Sequence, residues 1–380
     1  MGLSFELAPE QEEFRRVVAD FADREIAPVA AEFNAQGRFP VEIVRRMGEL
    51  GLFGLPFGSD YGGMDGDYLT LCLAIEEIGR VDQSLGITLE AGVGLGAAPI
   101  DEFGTEEQKQ RWLPQLLRGE RLGAFGLTES GGGSDAFGAT LTRAVQDGDD
   151  WVIDGTKQFI TNAGTEMTSI VTVTAFTGEG EMTSIIVPVD TPGFSVAPPY
   201  HKVGWHASDT RELHFDGVRV PVSNTLGEQG AGFRQFLKTL DDGRIAISAL
   251  AVGLIQGCIE ECVRYARERE AFGRPIGSYQ AIAFKIADLE VAAQTARQMY
   301  RYACWRKMEG LPYKREASIA KLYSSEAAVT AAREATQIFG GMGFTTETRV
   351  GRFYQDAKVL EIGEGTSEVQ RLLISRDLGL

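Results

Sequence analysis

WVIDGTKQFITNA, residues 151–163, is the stretch at which the hydrophobic period of this chain changes. Val152, Ile153, Phe159, Ile160 and Thr161 are β-branched or aromatic, and Asp154-Gly155 between them is a two-residue hairpin signal. Beyond it, residues 169–176 and 182–189 are apolar β-branched runs parted by TGEGE, and proline-punctuated segments follow to Leu226. Together they predict an antiparallel β domain of about 100 residues, over residues 122–230.

On both sides of this domain the period is helical. Pro9 suits a first helical position, and Phe14, Val17, Val18 and Phe21 follow at helical spacing. A helix after Phe39-Pro40 carries Val41, Val44 and Leu50 and is predicted to stop at Gly51, and residues 67–79 form another. Thr105 with Gln108 is a capping box that opens a helix carrying Trp112 and Leu116. Downstream, residues 232–270, 278–309 and Lys314–Phe339 are three long alanine-rich patterns broken by FGRPIG, EGLPY and FGGMGF, the mark of a helical bundle. The fold class is α+β, with a helical domain over 1–121, the β domain over 122–230 and a helical bundle over 231–380.

Composition narrows the function classes. With 43% hydrophobic, 24% charged and 9% aromatic residues in 380, the chain is that of an ordinary globular protein. The balance 37 − 54 = −17 repels nucleic acid and anionic membrane, so an anionic ligand needs a local basic patch. MGLSFELAPEQEEF lacks the basic and apolar regions of a leader, and no stretch approaches about 18 uninterrupted apolar residues, so a cytoplasmic location is expected. Cys72, Cys258, Cys262 and Cys304 are too few for a disulfide framework and are expected as buried thiols. Glycine is the outlier, at 46 residues, about 12% against roughly 7% on average.

Four clusters carry candidate chemistry. Gly92-Val-Gly-Leu-Gly-Ala97 fits G-x-G-x-x-[GA] letter by letter, but Pro99 interrupts two residues later and no βαβ alternation surrounds it. Close packing by small residues is the expected reading. Phe125-Gly-Leu-Thr-Glu-Ser-Gly-Gly-Gly-Ser-Asp135 exposes backbone N–H groups and hydroxyls that suit a flat heteroaromatic ring or phosphate; taken alone it is a weak signal, and its bland reading is a flexible connection at the start of the β domain. Arg267, Arg269 and Arg274, ending a helix and entering a tight turn, match pyrophosphate, or simply complement the helix C-terminus. In Glu361-Ile-Gly-Glu-Gly-Thr-Ser-Glu-Val-Gln-Arg371, Ser367 with Gln370 reads as a second capping box, and Glu364 stands between two glycines. Such a carboxylate can be a desolvated base or a solvated loop residue. His201, His206 and His214 show no metal-ligand pattern, and Cys258 and Cys262, at i, i+4, read as core.

In order and spacing, FGLTESGGGSD, GTKQFITNA, LDDGR, RERxAFGRPIGSYQAI, QIFGGMGF and EGTSEVQR, from residue 125 to 371, resemble the acyl-CoA dehydrogenase family. The resemblance implies an N-terminal helical domain, a middle β domain, a C-terminal four-helix bundle, bound FAD and a homotetramer (dimer of dimers) with each flavin between two subunits. It implies that Phe125, Leu127, Thr128, Gly133 and Ser134, with Phe159 and Thr161, line the isoalloxazine, Ser134 also reaching the CoA moiety. Arg269, Phe272, Gln280, Gln337 and Gly341 would contact the adenine and pyrophosphate half of a neighbouring subunit's flavin. Thr366 and Glu368 would also contact cofactor, Gly365 the substrate, and Asp241 and Arg244 the pantetheine and nucleotide part of CoA.

The implied reaction is α,β-dehydrogenation of an acyl-CoA to a trans-2-enoyl-CoA, with glutamate removing the α-proton and flavin N5 taking the β-hydride. The family places its base at one of two positions. The second, before the arginine of LDDGR, is Gly243 here, which leaves Glu364. Three departures concern the pocket: Gly363 stands where tyrosine is common, Phe159 where tryptophan is frequent, and Ala271 where many members have threonine. Electron-transferring flavoprotein is the expected acceptor. An oxygen-using acyl-CoA oxidase is the alternative, disfavoured by the lack of an extra C-terminal domain in 380 residues. A binding protein on the same scaffold is disfavoured by the −17 charge and by Glu364. The acyl chain is unreadable, since a methylene changes binding by only about 1–3 kcal/mol.

Overall fold

The structure, a computed structural model, describes residues 6–380. Helix α1 (Pro9–Phe21) runs through a π turn into α2 (Ala27–Gln36), and α3 (Val41–Glu49) follows. Asp67 and Asp82 cap α4 (Tyr68–Gly79) and α5 (Gln83–Glu90) by accepting the Thr70 and Leu85 N–H groups. A π-helical segment, Ala91–Ala97, leads into α6 (Ala98–Phe103), and the Thr105–Gln108 capping box opens α7 (Glu106–Leu117) as expected.

The fingerprint-like glycines lie in that π segment, and the residues before them are helix α5, not a strand. A Cβ at Gly96 would meet the Gly123 carbonyl oxygen at 2.7 Å, and one at Gly92 the Phe53 ring at 2.8 Å. Small residues here bring a helix against a strand backbone and an aromatic face, which is packing and not nucleotide binding.

The middle domain is a seven-stranded sheet: β1 (Leu122–Gly126), β2 (Arg143–Asp147), β3 (Asp150–Thr161), β4 (Thr168–Gly178), β5 (Glu181–Pro188), β6 (Phe194–Val196) and β7 (Thr210–Pro221). The order is β1-β4-β2-β3-β7-β6, with β5 also on β4. Two expectations are corrected. The sheet is not wholly antiparallel, because β1 lies parallel to β4. Nor is Asp154-Gly155 a turn: β3 runs through it with an irregularity, paired to β7 on both sides. The Asp154 carboxylate accepts the Gly217 N–H at 2.8 Å, and Thr142 packs where a Gly155 side chain would stand. The hairpin turn falls instead after Asp147, with Gly148 at φ 64°.

Helix α8 (Gly232–Glu268) spans the C-terminal domain, and a small hairpin of β8 (Glu270–Ala271) and β9 (Arg274–Pro275) turns the chain into α9 (Gln280–Met308), α10 (Lys314–Phe339), α11 (Arg349–Leu360) and α12 (Ser367–Asp377). α8 is long and apolar enough to cross a membrane, yet 83% of its most apolar window is buried inside the protein. α10 packs on α8, α9 and α11 through fully buried alanines such as Ala317, Ala320, Ala331 and Ala335. The N-terminal helices and the bundle share one core, α4 lying along α8 with Gly79 against Leu250. The sheet has its own core.

A buried ion pair braces the sheet below the glycine-rich loop. Lys157 Nζ donates to Glu129 Oε1 (2.7 Å) and to the Leu127 carbonyl (3.1 Å), and Glu129 accepts the Leu141 and Thr142 N–H groups. Burial pulls Lys157 down to about 8. Removing one partner of such a pair leaves an uncompensated charge, so Lys157→Met is expected to lower unfolding stability by about 3–5 kcal/mol. Adding Glu129→Gln should recover part of it, because the amide oxygen still accepts a backbone N–H; denaturant midpoints of the three proteins measure this.

Candidate active site

After α11 the chain reverses on itself, with the Gly363 N–H donating to the Val359 carbonyl at 2.8 Å. Glu364 then adopts φ 53°, a left-handed conformation that costs a non-glycine residue of the order of 1 kcal/mol or more, and Gly365 follows at φ 91°. Three hydrogen bonds from two side chains hold the turn. Fully buried Lys321 donates to the Gly365 carbonyl (2.7 Å), and Gln370 Nε2 donates to the carbonyls of Gly365 (2.9 Å) and Glu364 (3.3 Å). The expected Ser367–Gln370 box is therefore not formed, since Gln370 is engaged with the loop. Thr366 is the N-cap instead, its hydroxyl accepting the Val369 N–H at 3.3 Å.

The Glu364 carboxylate oxygens are out of solvent, and among the described residues no N–H or hydroxyl group donates to them. They lie over Gly243 of α8, where a side chain at 243 would collide with Oε2. The two base positions of the family are thus mutually exclusive here: the space that one carboxylate fills exists because the other position is glycine. Burial pushes Glu364 up to about 7, against the pull of a hydrogen bond from Glu90 and of the Arg244 and Lys321 charges. Among the described residues, the Glu364 backbone N–H has no acceptor.

Arg244 does not offer an open phosphate site. It is 2% exposed, pairs with Asp241 and faces Glu364, and its Nε has no acceptor. The buried guanidinium, one position past Gly243 on α8, lends its charge to the Glu364 carboxylate. Asp241 itself is partly exposed.

The sequence reading missed Glu90 and Lys321. Glu90, at the end of α5, is 1% exposed, and its carboxyl meets that of Glu364. A signal existed: Glu90 is the one charged residue in 83–100, an otherwise apolar helical run. Lys321 carries no such signal, because Glu316, Glu326, Arg333 and Glu334 also lie on α10.

The residues matched to the flavin ring come together at one end of the sheet. The Gln158 N–H donates to the Thr128 carbonyl at 2.7 Å, which sets Phe159 and Thr161 beside Phe125, Leu127 and Thr128. Phe159 is 61% exposed at φ 60°, its ring 5.1 Å from that of Tyr200, and Gly133 and Ser134 are exposed nearby. Phe125 and Leu127 pack with Phe236 of α8 and Leu95 of the π segment. From Phe236 to Gly243 is two helical turns, about 10 Å, so ring wall and carboxylate lie along one face of α8.

Arg269, Phe272, Gln280, Gln337 and Gly341 gather elsewhere. All five are exposed, Phe272 at 97%, where the ends of α8 and α10 meet through the Tyr265–Phe339 stack (4.1 Å). That end of α8 lies roughly 40 Å from Gly243 at 1.5 Å per residue. The structure therefore forms each group but does not bring one chain's two groups together. Thr366 is occupied as a cap, and Glu368 is exposed in the first turn of α12. Gly363 needs no special backbone, and a Cβ there would meet only the Val359 carbonyl, at 3.5 Å. A flat aromatic wall, free hydroxyls at Thr128 and Ser134 and bare backbone at Gly131 and Gly133 fit an isoalloxazine. Exposed Arg269 and open backbone at Gly340 and Gly341 fit a pyrophosphate.

Three family models cover nearly the whole chain: the acyl-CoA dehydrogenase N-terminal domain over residues 8–120, the middle domain over 124–218 and the C-terminal domain over 230–379. A probable acyl-CoA dehydrogenase, YngJ, of Bacillus subtilis is 49% identical, over 99% of this chain and 100% of its own. Butyryl-CoA dehydrogenase of Megasphaera elsdenii superposes with a TM-score of 0.96 at 39% identity, covering 100% of both chains. A chain from the structural work on the electron transferring flavoprotein of Acidaminococcus fermentans gives the same score and identity over 99% of both. The prolyl acyl carrier protein oxidase AnaB, at 31% identity and a TM-score of 0.94, covers 99% of this chain and 100% of its own, so the length of this chain does not separate dehydrogenase from oxidase. With three domains in this order and a buried glutamate at their junction, the chain belongs to the acyl-CoA dehydrogenase family and is an FAD-dependent oxidoreductase.

Proposed function

We propose that Glu364 is the base that removes the α-proton of a short acyl-CoA thioester, giving the trans-2-enoyl-CoA. The observation that carries this reading is a carboxylate with both oxygens out of solvent and burial holding it near 7, where a base and its conjugate acid are both accessible at working pH. The short chain rests on the likeness to the butyryl-CoA enzyme.

The chemistry follows from the loop. A thioester α-hydrogen is weakly acidic, so charge developing on the carbonyl oxygen needs a donor fixed before reaction. The free Glu364 N–H is such a donor, on the same residue as the base, and Lys321 and Gln370 fix both by holding the carbonyls on either side of the peptide that follows. Arg244 and Lys321 keep Glu364 ionised near neutrality although water is excluded. Bound FAD supplies the acceptor that takes the β-hydrogen as hydride. Thr128, Ser134 and the glycines beside them would seat its ring, and Phe159 would wall it.

The 40 Å between this cleft and Arg269 supports a neighbouring subunit as the source of the adenine and pyrophosphate contacts, in a homotetramer, a dimer of dimers. Electron-transferring flavoprotein is the acceptor we assign, working in the cytoplasm; the Acidaminococcus likeness supports the partner. Rapid peroxide formation in air without that partner would establish the oxidase reading instead.

Glu364→Gln is expected to keep bound flavin and to lose its bleaching by butyryl-CoA, turnover falling about 10²–10⁴-fold; anaerobic titration reads both. Because the base acts when ionised, kcat/KM should rise with pH through a midpoint at about 7 and be low on the acid side. Gly243→Ala places a methyl against the Glu364 carboxylate. Alanine also favours helix by about 1 kcal/mol, so turnover should fall at least about tenfold while the thermal midpoint changes little.

A further inference from the structure

Glu90 is a buried acid for which the reaction as derived has no use. It ends α5, and the π segment begins at the next residue. Both its oxygens are out of solvent and, among the described residues, receive no N–H or hydroxyl donor, and the same holds for the Glu364 oxygens. The lack of a side chain at Gly94 gives its carboxyl room, since a Cβ there would stand 2.9 Å from Oε1. Two desolvated carboxyl groups in contact cannot both be charged, and when one holds a proton it becomes a donor to the other. The groups around the pair decide which is ionised. Arg244 on α8 and Lys321 on α10 face Glu364 as cations, with Asp242 the nearer anion. Glu90, whose charge is felt by Tyr68 of α4, faces no cation among the described residues. Burial and the Glu364 charge hold Glu90 well above the usual carboxylate range.

We propose that Glu90 is a positioning residue for proton abstraction: its neutral carboxyl donates a hydrogen bond to the ionised Glu364 carboxylate, fixing the oxygen that is to receive the α-proton. The inference rests on Glu364 as base. Before reaction the pair holds one proton. When the α C–H bond breaks, its proton forms a new O–H bond on Glu364 and the electron pair remains with the substrate, so the pair then holds two protons and no charge. The donated bond also favours the ionised base, keeping it competent near neutrality in a site from which water is excluded.

The test uses the holoenzyme at equal flavin content, with butyryl-CoA as probe and kcat/KM followed against pH. Glu90→Leu removes the donor and should move the midpoint up by about one pH unit. Glu90→Gln keeps an N–H donor and should stay near wild type, a rescue that a merely space-filling role would not require. Independently of turnover, infrared spectra above neutral pH should contain the carbonyl band of a neutral buried acid in wild type and in Glu364→Gln, and lose it in Glu90→Gln. A midpoint that falls or stays in Glu90→Leu, or absence of that band in wild type, overturns the proposal. Full turnover in Glu364→Gln would instead sink the base assignment, while the band would still report on Glu90.

Discussion

Everything in the site depends on one contact, the Glu364 carboxylate resting on the bare backbone of α8 at Gly243. It can rest there only because the residue before Arg244 has no side chain, and it must rest there because the turn after α11 is pinned by Lys321 and Gln370. The strain at φ 53° is held by those bonds. Loop, bundle and N-terminal helices thus each supply one wall, and no domain contains the site alone.

Much of this was legible in the sequence, for identifiable reasons. Helices with alanine faces or capping residues declare themselves locally, and Thr105 with Gln108 forms the expected box. Glu364 is conspicuous because glycines flank it. What misled was local chemistry overruled by tertiary partners. Asp154-Gly155 has the letters of a turn, but β7 pairs with β3 on both sides of it. Ser367 and Gln370 have the letters of a cap, but the Gln370 amide is drawn to the Glu364 and Gly365 carbonyls. The burial of Arg244, at 2% exposure, is likewise set by what packs on α8 and has no local mark in the sequence. Glu90 lay unnoticed because its partner is 274 positions away along the chain (364 − 90), beyond any spacing argument.

The glycine excess divides along the same line. Gly96 and Gly243 are places where another group comes too close for a side chain, whereas Gly133, Gly340 and Gly341 leave backbone open at the surface. The first kind assembles the protein and the second receives ligand. Gly363 belongs to neither, since its backbone is ordinary and its surroundings are roomy. It widens the cleft beside the base without loosening the loop.

The length of α8 carries a genetic consequence. If each flavin is held by the cleft of one subunit and the Arg269 end of another, every site draws on two copies of the gene product. A subunit damaged at Glu364 and one damaged at Arg269 would each be inactive alone. Mixed in one assembly, they would build one site with both lesions and one with neither, so two defective alleles would complement each other and heterozygotes would retain activity.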